Sequence, residues 1–245
     1  MNEEIFNIVT DKPMTYEEAV AYFSEKLTLT PDEFVKLRDV YKTLAFTVSG
    51  YTSLQIIKTF QERLTEAIEN GSTIKDFKAA MNDFLEKEGY AALSGYQADN
   101  IFRTNIQTAY NVGAYQEMTS AGALKARPYW MYNAVDDEKT RPTHRAMNGK
   151  VFPADSDVWD VWYPPNGFRC RCSVSTLSKR QVEQMGLVVE AEMPERVEYG
   201  GNVYTVLPDQ DFKTNPAKIQ FDPHLQEFPQ TLIRAFERRQ KENTT

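Results

Sequence analysis

Helix start and stop signals recur along the first ~120 residues and agree with an apolar period of three to four, which restricts that half to a helical bundle with short connections. Thr15 and Thr30 are each followed three residues later by a glutamate, Glu18 and Glu33, the capping-box spacing that satisfies orphan N–H groups at a helix start. Pro31 at the first helical position adds to the second signal, and Phe34, Leu37, Tyr41, Leu44 and Val48 then recur as one apolar stripe. The spacing predicts a third helix from Leu54 to Glu69, with Ile57, Phe60, Leu64 and Ile68 inward and Asn70-Gly71 as its stop. A fourth opens at Thr73 and Asp76, turns Ile74, Phe77, Met81 and Phe84 inward, and ends before Gly89. A long helix from Gln97 to Ser120 closes near Gly122.

After Ala126 the texture changes. Tyr129 to Ala134, Lys150 to Phe152 and Arg169 to Ser175 are short, rich in aromatic and β-branched residues and bounded by turn formers, so they read as strands. Ser178 to Met185 reads as a short helix, Gly200-Gly201 as a hairpin turn, and Thr231 to Lys241 as a last amphipathic helix with a polar tail. The fold class is therefore α+β: an N-terminal helical bundle followed by a small mixed α/β module with short strands and long loops. Trp159, Trp162, Tyr163, Phe152 and Phe168 supply a core for that module more simply than a base-stacking platform, which normally comes with a basic groove.

Charge narrows the function classes. With 28 Lys+Arg against 35 Asp+Glu the net charge is -7, so the surface as a whole repels nucleic acid and any non-specific DNA contact is local. Arg169, Arg171, Lys179 and Arg180, and the run Arg234, Arg238, Arg239 and Lys241, are the candidates for it, although both groups read more simply as solvated faces. Glycine-rich phosphate loops are absent, which argues against a nucleotide-dependent motor or enzyme. No stretch is apolar for the length of a membrane span, and Met1-Asn2-Glu3-Glu4 carries acid where a secretory signal carries Lys or Arg, so the expectation is a soluble protein made in the cytoplasm, with no membrane partner.

The residues that can carry chemistry are few. The chain has 2 histidines and 2 cysteines, and His144 lies seven residues beyond Asp137 in a polar loop upstream of Cys170-Arg171-Cys172. A disulfide across one intervening residue is strained, so the thiols either ligate a metal or pack as small hydrophobes. On a strand, residues two apart share a face, so both thiols can meet one ion, with His144 and Asp137 completing the shell. Zinc, in a structural role, accepts this mixture of thiolate, imidazole and carboxylate. An open fourth position would instead suit a metal-dependent hydrolase or nuclease, and a Cys-His nucleophile is a further formal option without an evident oxyanion hole.

At these same residues the sequence resembles the phage Mu F-like head morphogenesis family. The resemblance runs from Phe102 to Val174 and rests on Arg103-Thr104, Asn111-Val112-Gly113, Trp130, Asp137, Thr140-Arg141, His144, Asn148-Gly149-Lys150-Val151-Phe152, the Pro-Pro-Asn-Gly turn and Cys170-Arg171-Cys172. A fainter continuation reaches Asp211-Phe212 and Asn215-Pro216. Arg103, Asn111, Gly113, Arg141 and Gly149 are its motif positions. The family often carries an acid where this chain has Asn105 and Arg where it has Lys139, so no catalytic residue is assigned. The resemblance implies a helical region over 1–95, a head morphogenesis module over 96–186 and a C-terminal extension over 187–245. It also implies a minor head protein of a tailed phage, not an enzyme, located in the virion at the capsid interior or portal vertex. Its implied partners are the portal protein and other capsid components, and its implied roles are head assembly and DNA packaging or delivery.

Overall fold

The computed structural model describes residues 16–223 and 228–244. In chain order, α1 (Tyr16–Glu25) leads through β1 (Leu27–Thr28) to two single-turn helices, α2 (Pro31–Phe34) and α3 (Asp39–Lys42), and then to β2 (Ala45–Phe46). Three full helices follow, α4 (Leu54–Asn70), α5 (Ile74–Lys87) and α6 (Gly95–Met118), then the short α7 (Ala121–Ala126). The second half alternates β3 (Tyr129–Asn133), α8 (Pro142–Met147), β4 (Val151–Pro153), α9 (Val158–Trp162), β5 (Ser173–Leu177) and α10 (Lys179–Gln184). A hairpin of β6 (Arg196–Tyr199) and β7 (Asn202–Thr205) and a final helix α11 (Gln230–Thr244) complete an α+β fold.

Local chemistry accounts for the helical core. Ser53 accepts from the Ile56 N–H at the start of α4, and Gly71 ends that helix in the left-handed region at φ 66°, where a side chain would be strained. Thr73 and Asp76 form a reciprocal capping box on α5, as their spacing predicts. Phe23 of α1, Ile57, Phe60, Leu64 and Ile68 of α4, Phe77 and Met81 of α5 and Ala109 of α6 share one buried cluster. On α5 the third inward residue is Leu85, with Phe84 only partly buried against the cluster. The predicted start at Thr15 lies outside the described residues.

Residues 30–48 depart from the single helix that their apolar stripe suggests. The capping box at Thr30 forms, but α2 lasts one turn, and the chain instead pairs β1 with β2 in parallel. Leu27 and Leu29 donate their N–H groups to the carbonyls of Leu44 and Phe46, both at 2.9 Å. Leu27, Leu29, Leu37 and Leu44 then pack around Leu232 and Ala235 of α11. The apolar residues thus surround a helix from the far end of the chain instead of lining one face of their own. Part of the C-terminal basic run holds this contact: Arg238 reaches Glu33 and the Thr28 carbonyl, and Arg239 the Glu25 carbonyl.

The second half is built on a three-stranded antiparallel sheet in the order β4-β3-β5. Alternation along β3 sends Trp130 and Tyr132 into an aromatic core with Phe152, Trp159, Trp162 and Tyr163, while Tyr129 and Met131 pack with Val151, Leu177 and Val182 on the other face. Two expectations need correction. The long helix ends at Met118, and Ser120 caps α7, so Gly122 lies inside a second helix. The third strand is Ser173–Leu177, not Arg169 to Ser175, because Arg169 takes a left-handed turn (φ 59°) and the ladder with β3 begins only at Ser173 opposite Asn133.

Candidate metal centre

Pro142 starts α8, and the helical spacing of three puts His144 and Met147 on the same inward face. His144 is 2% exposed, and its ring stands edge-on to Trp162 with centroids 5.8 Å apart. Opposite it, the segment after α9 turns through Gly167 and Arg169. A Cβ on Gly167 would run into the Asp209 carboxylate and the Arg141 guanidinium, so the glycine leaves room for that ion pair against the turn. The turn delivers Cys170 and Cys172, which are 3% and 4% exposed. Their Sγ atoms lie 3.8 and 3.4 Å from His144 Nδ1.

Three of the four candidate ligands therefore meet, and the convergence comes from an extended loop, not from the strand the sequence suggests. The fourth, Asp137, is held elsewhere. Arg171, between the two cysteines, points outward and grips both Asp137 oxygens at 2.6 and 2.8 Å, and the Lys139 N–H and Thr140 hydroxyl also donate to it. The Arg171 hydrogen bonds keep the Asp137 carboxyl well below the usual carboxylate range. Among the described residues, the groups close enough to share one ion are His144, Cys170 and Cys172.

The thiols are electrostatically unlike. A hydrogen bond from Cys172, opposed by burial and joined by the neighbouring His144, lowers Cys170 below its ordinary value. The same bond, burial and the charge on Cys170 push Cys172 far above its ordinary value. The opposite directions have one cause: two thiolates side by side in an apolar pocket repel each other. A divalent cation removes that conflict.

Several residues that hold the loop were not evident from sequence. Asn166 is fully buried: its Oδ1 accepts from the Tyr132 hydroxyl at 2.9 Å, and its carbonyl accepts from the Asp209 N–H at 3.0 Å. An Asn-Gly pair signals a turn and nothing about the asparagine side chain. Gln107 and Asn111, one turn apart on α6, both donate to the Cys172 carbonyl. The family-motif positions have structural duties. Arg103 pairs with Asp99; Arg141 donates to the Phe168 carbonyl and pairs with Asp209; Gly149 turns at φ 75° before β4; and Gly113 lets α1 approach α6. Phe168 is 51% exposed and packs edge-on against Phe212, so it does not belong to the aromatic core.

Part of this sequence is shared with known proteins. The model of the family described as "Phage Mu protein F like protein" matches residues 58–175. The putative capsid assembly protein F of Escherichia phage Mu is 33% identical over 190 residues, which cover 71% of this chain and 43% of that protein. The Mu-like prophage FluMu F protein of Haemophilus influenzae is 33% identical over 171 residues, covering 62% of this chain and 41% of that one. The chain thus spans less than half the length of these relatives. No solved structure matches it. Across residues 58–175, which contain most of α4, all of α5 and α6 and the His144, Cys170 and Cys172 cluster, the chain belongs to the phage Mu protein F-like family.

Proposed function

We propose that this chain is a capsid assembly protein of a tailed phage, a structural component of the head that associates with the portal and assists DNA packaging or delivery. The observation that carries the reading is its 33% identity over 190 residues to a protein named for capsid assembly. The site supports a structural role over the hydrolase alternative. Its three groups are each at most 4% exposed, both thiols pack in the cluster of Trp162, Tyr132 and Met147, and two surface clefts, of about 630 and 620 Å³, are lined by none of them. A hydrolytic centre needs an open coordination position facing a substrate groove. Of the basic residues proposed for DNA contact, Arg169, Arg171 and Arg238 are engaged with Asp99, Asp137 and Glu33. Direct DNA binding through them would first have to break those pairs. In the described residues no helix is long and apolar enough to cross a membrane.

The test is made in the phage that encodes the chain. The gene is disrupted, and particles are purified with and without it. The expected result is that intact particles contain the protein and co-purify it with the portal, and that disruption lowers the yield of DNA-filled heads. A normal yield of filled heads, together with absence of the protein from purified particles, overturns the proposal.

A further inference from the structure

We infer that His144 Nδ1, Cys170 Sγ and Cys172 Sγ bind a single zinc ion that clips α8 to the loop before β5, with Asp137 outside the coordination sphere. The ligand spacing carries this. Zinc–sulfur and zinc–nitrogen bonds of about 2.3 and 2.05 Å at a tetrahedral angle place sulfur and nitrogen about 3.6 Å apart. The two observed separations, 3.4 and 3.8 Å, bracket that value. A hydrogen-bonded core histidine needs only one such partner. Here both sulfurs converge on the same ring nitrogen.

The surroundings match a metal pocket as well. Among the described residues His144 Nε2 is buried without a hydrogen-bond partner, so the two sulfurs at Nδ1 are the polar contacts of a ring otherwise packed on Trp162. Arg171, between the two thiols, brings a positive charge to the same loop. The mixture of thiolates and imidazole favours zinc over magnesium or calcium, which select oxygen. Three protein ligands leave the fourth tetrahedral position to a small donor such as water, enclosed by the aromatic core. The Arg171–Asp137 pair then acts as a peg on the outer side of the same loop, fixing the backbone that aims both thiols inward.

The full chain is purified, incubated with zinc, desalted and assayed for metal, beside Cys170→Ser/Cys172→Ser and Asp137→Asn. One zinc per chain is expected in the wild type and in Asp137→Asn, with loss of zinc in the double variant. Cobalt substitution of the wild type is expected to give near-ultraviolet thiolate-to-cobalt charge-transfer absorption and the visible bands of a tetrahedral site. This measurement stands even where the double variant fails to fold. Stripping zinc with a chelator is expected to lower the unfolding temperature of the wild type. A folded wild type that takes up no zinc, a cobalt form without thiolate absorption, or zinc retained by the folded double variant overturns the site. Loss of zinc from a folded Asp137→Asn variant overturns the assignment of its ligands, and an unchanged unfolding temperature on chelation overturns the clip.

Discussion

Gly113 offers a sharp test of how the helical half is assembled. It lies inside α6, where alanine is intrinsically better than glycine by about 1 kcal/mol. A Cβ at this position would meet the Ala19 backbone nitrogen at 3.1 Å and the Ala19 and Glu18 Cβ atoms at 3.5 Å. The first contact is too close to accept without a shift of α1, and backbone cannot swing aside as a flexible side chain can. Overpacking of this kind costs roughly 1–3 kcal/mol, so Gly113→Ala is expected to lose up to about 2 kcal/mol net. Gly122→Ala is the internal control. It also sits in a helix, its added Cβ meets nothing within 4 Å, and its backbone is ordinary, so it is expected to gain about 0.5–1 kcal/mol. The two swaps change the unfolded chain alike, and that contribution cancels in their difference. Urea unfolding followed by the fluorescence of the buried Trp130, Trp159 and Trp162 gives both values. Equal stabilisation by the two substitutions refutes the close seating of α1 on α6.

Two further perturbations test the packing on either side of the site. Lys26 is 8% exposed, donates to the Thr43 and Ala45 carbonyls, and is lowered by burial to about 7. Between pH 7 and about 10 the unfolded chain holds a proton there that the folded chain does not, so folded stability should rise with pH by at most about 1.4 kcal/mol per unit. Chemical denaturation across that range should show this slope for the wild type relative to Lys26→Met, and parallel curves contradict it. Asn215 is 1% exposed; it donates from Nδ2 to the Trp159 carbonyl at 3.0 Å and accepts from the Ala217 N–H at 2.9 Å. Asn215→Ala is therefore expected to cost about 1–3 kcal/mol in urea unfolding, and a loss below about 0.5 kcal/mol speaks against that anchor.

The helices from Leu54 to Met118 were legible because their determinants are local: a capping residue, a periodic face and a glycine or polar stop within one stretch of chain. Residues 30–48 were misleading for the opposite reason. Their apolar spacing fits a helix, but the surface they bury against arrives on α11, and the contact from Arg238 to Thr28 spans 210 residues. At the site, residue types told more than geometry. Two thiols one residue apart, with a histidine upstream, announced a cluster whatever the backbone between them. Asp137 did not follow, because a carboxylate suits a metal and an arginine equally, and only the fold shows that Arg171 turns away from the thiols to take it.

The cluster and the helical half also cannot be treated as independent bodies, since α6 is a wall of both. Ala98 and Ala109 bury one side of that helix in the helical core, while Gln107 and Asn111 hold the Cys172 carbonyl and the Asn111 carbonyl accepts from the Tyr163 hydroxyl at 2.8 Å. The same loop is clamped from beyond the family-matched region, by Asp209 on Asn166 and Arg141 and by Asn215 on the segment that precedes it. The Cys172 carbonyl that two α6 side chains share thus ties the thiol loop to the helix that packs against α1.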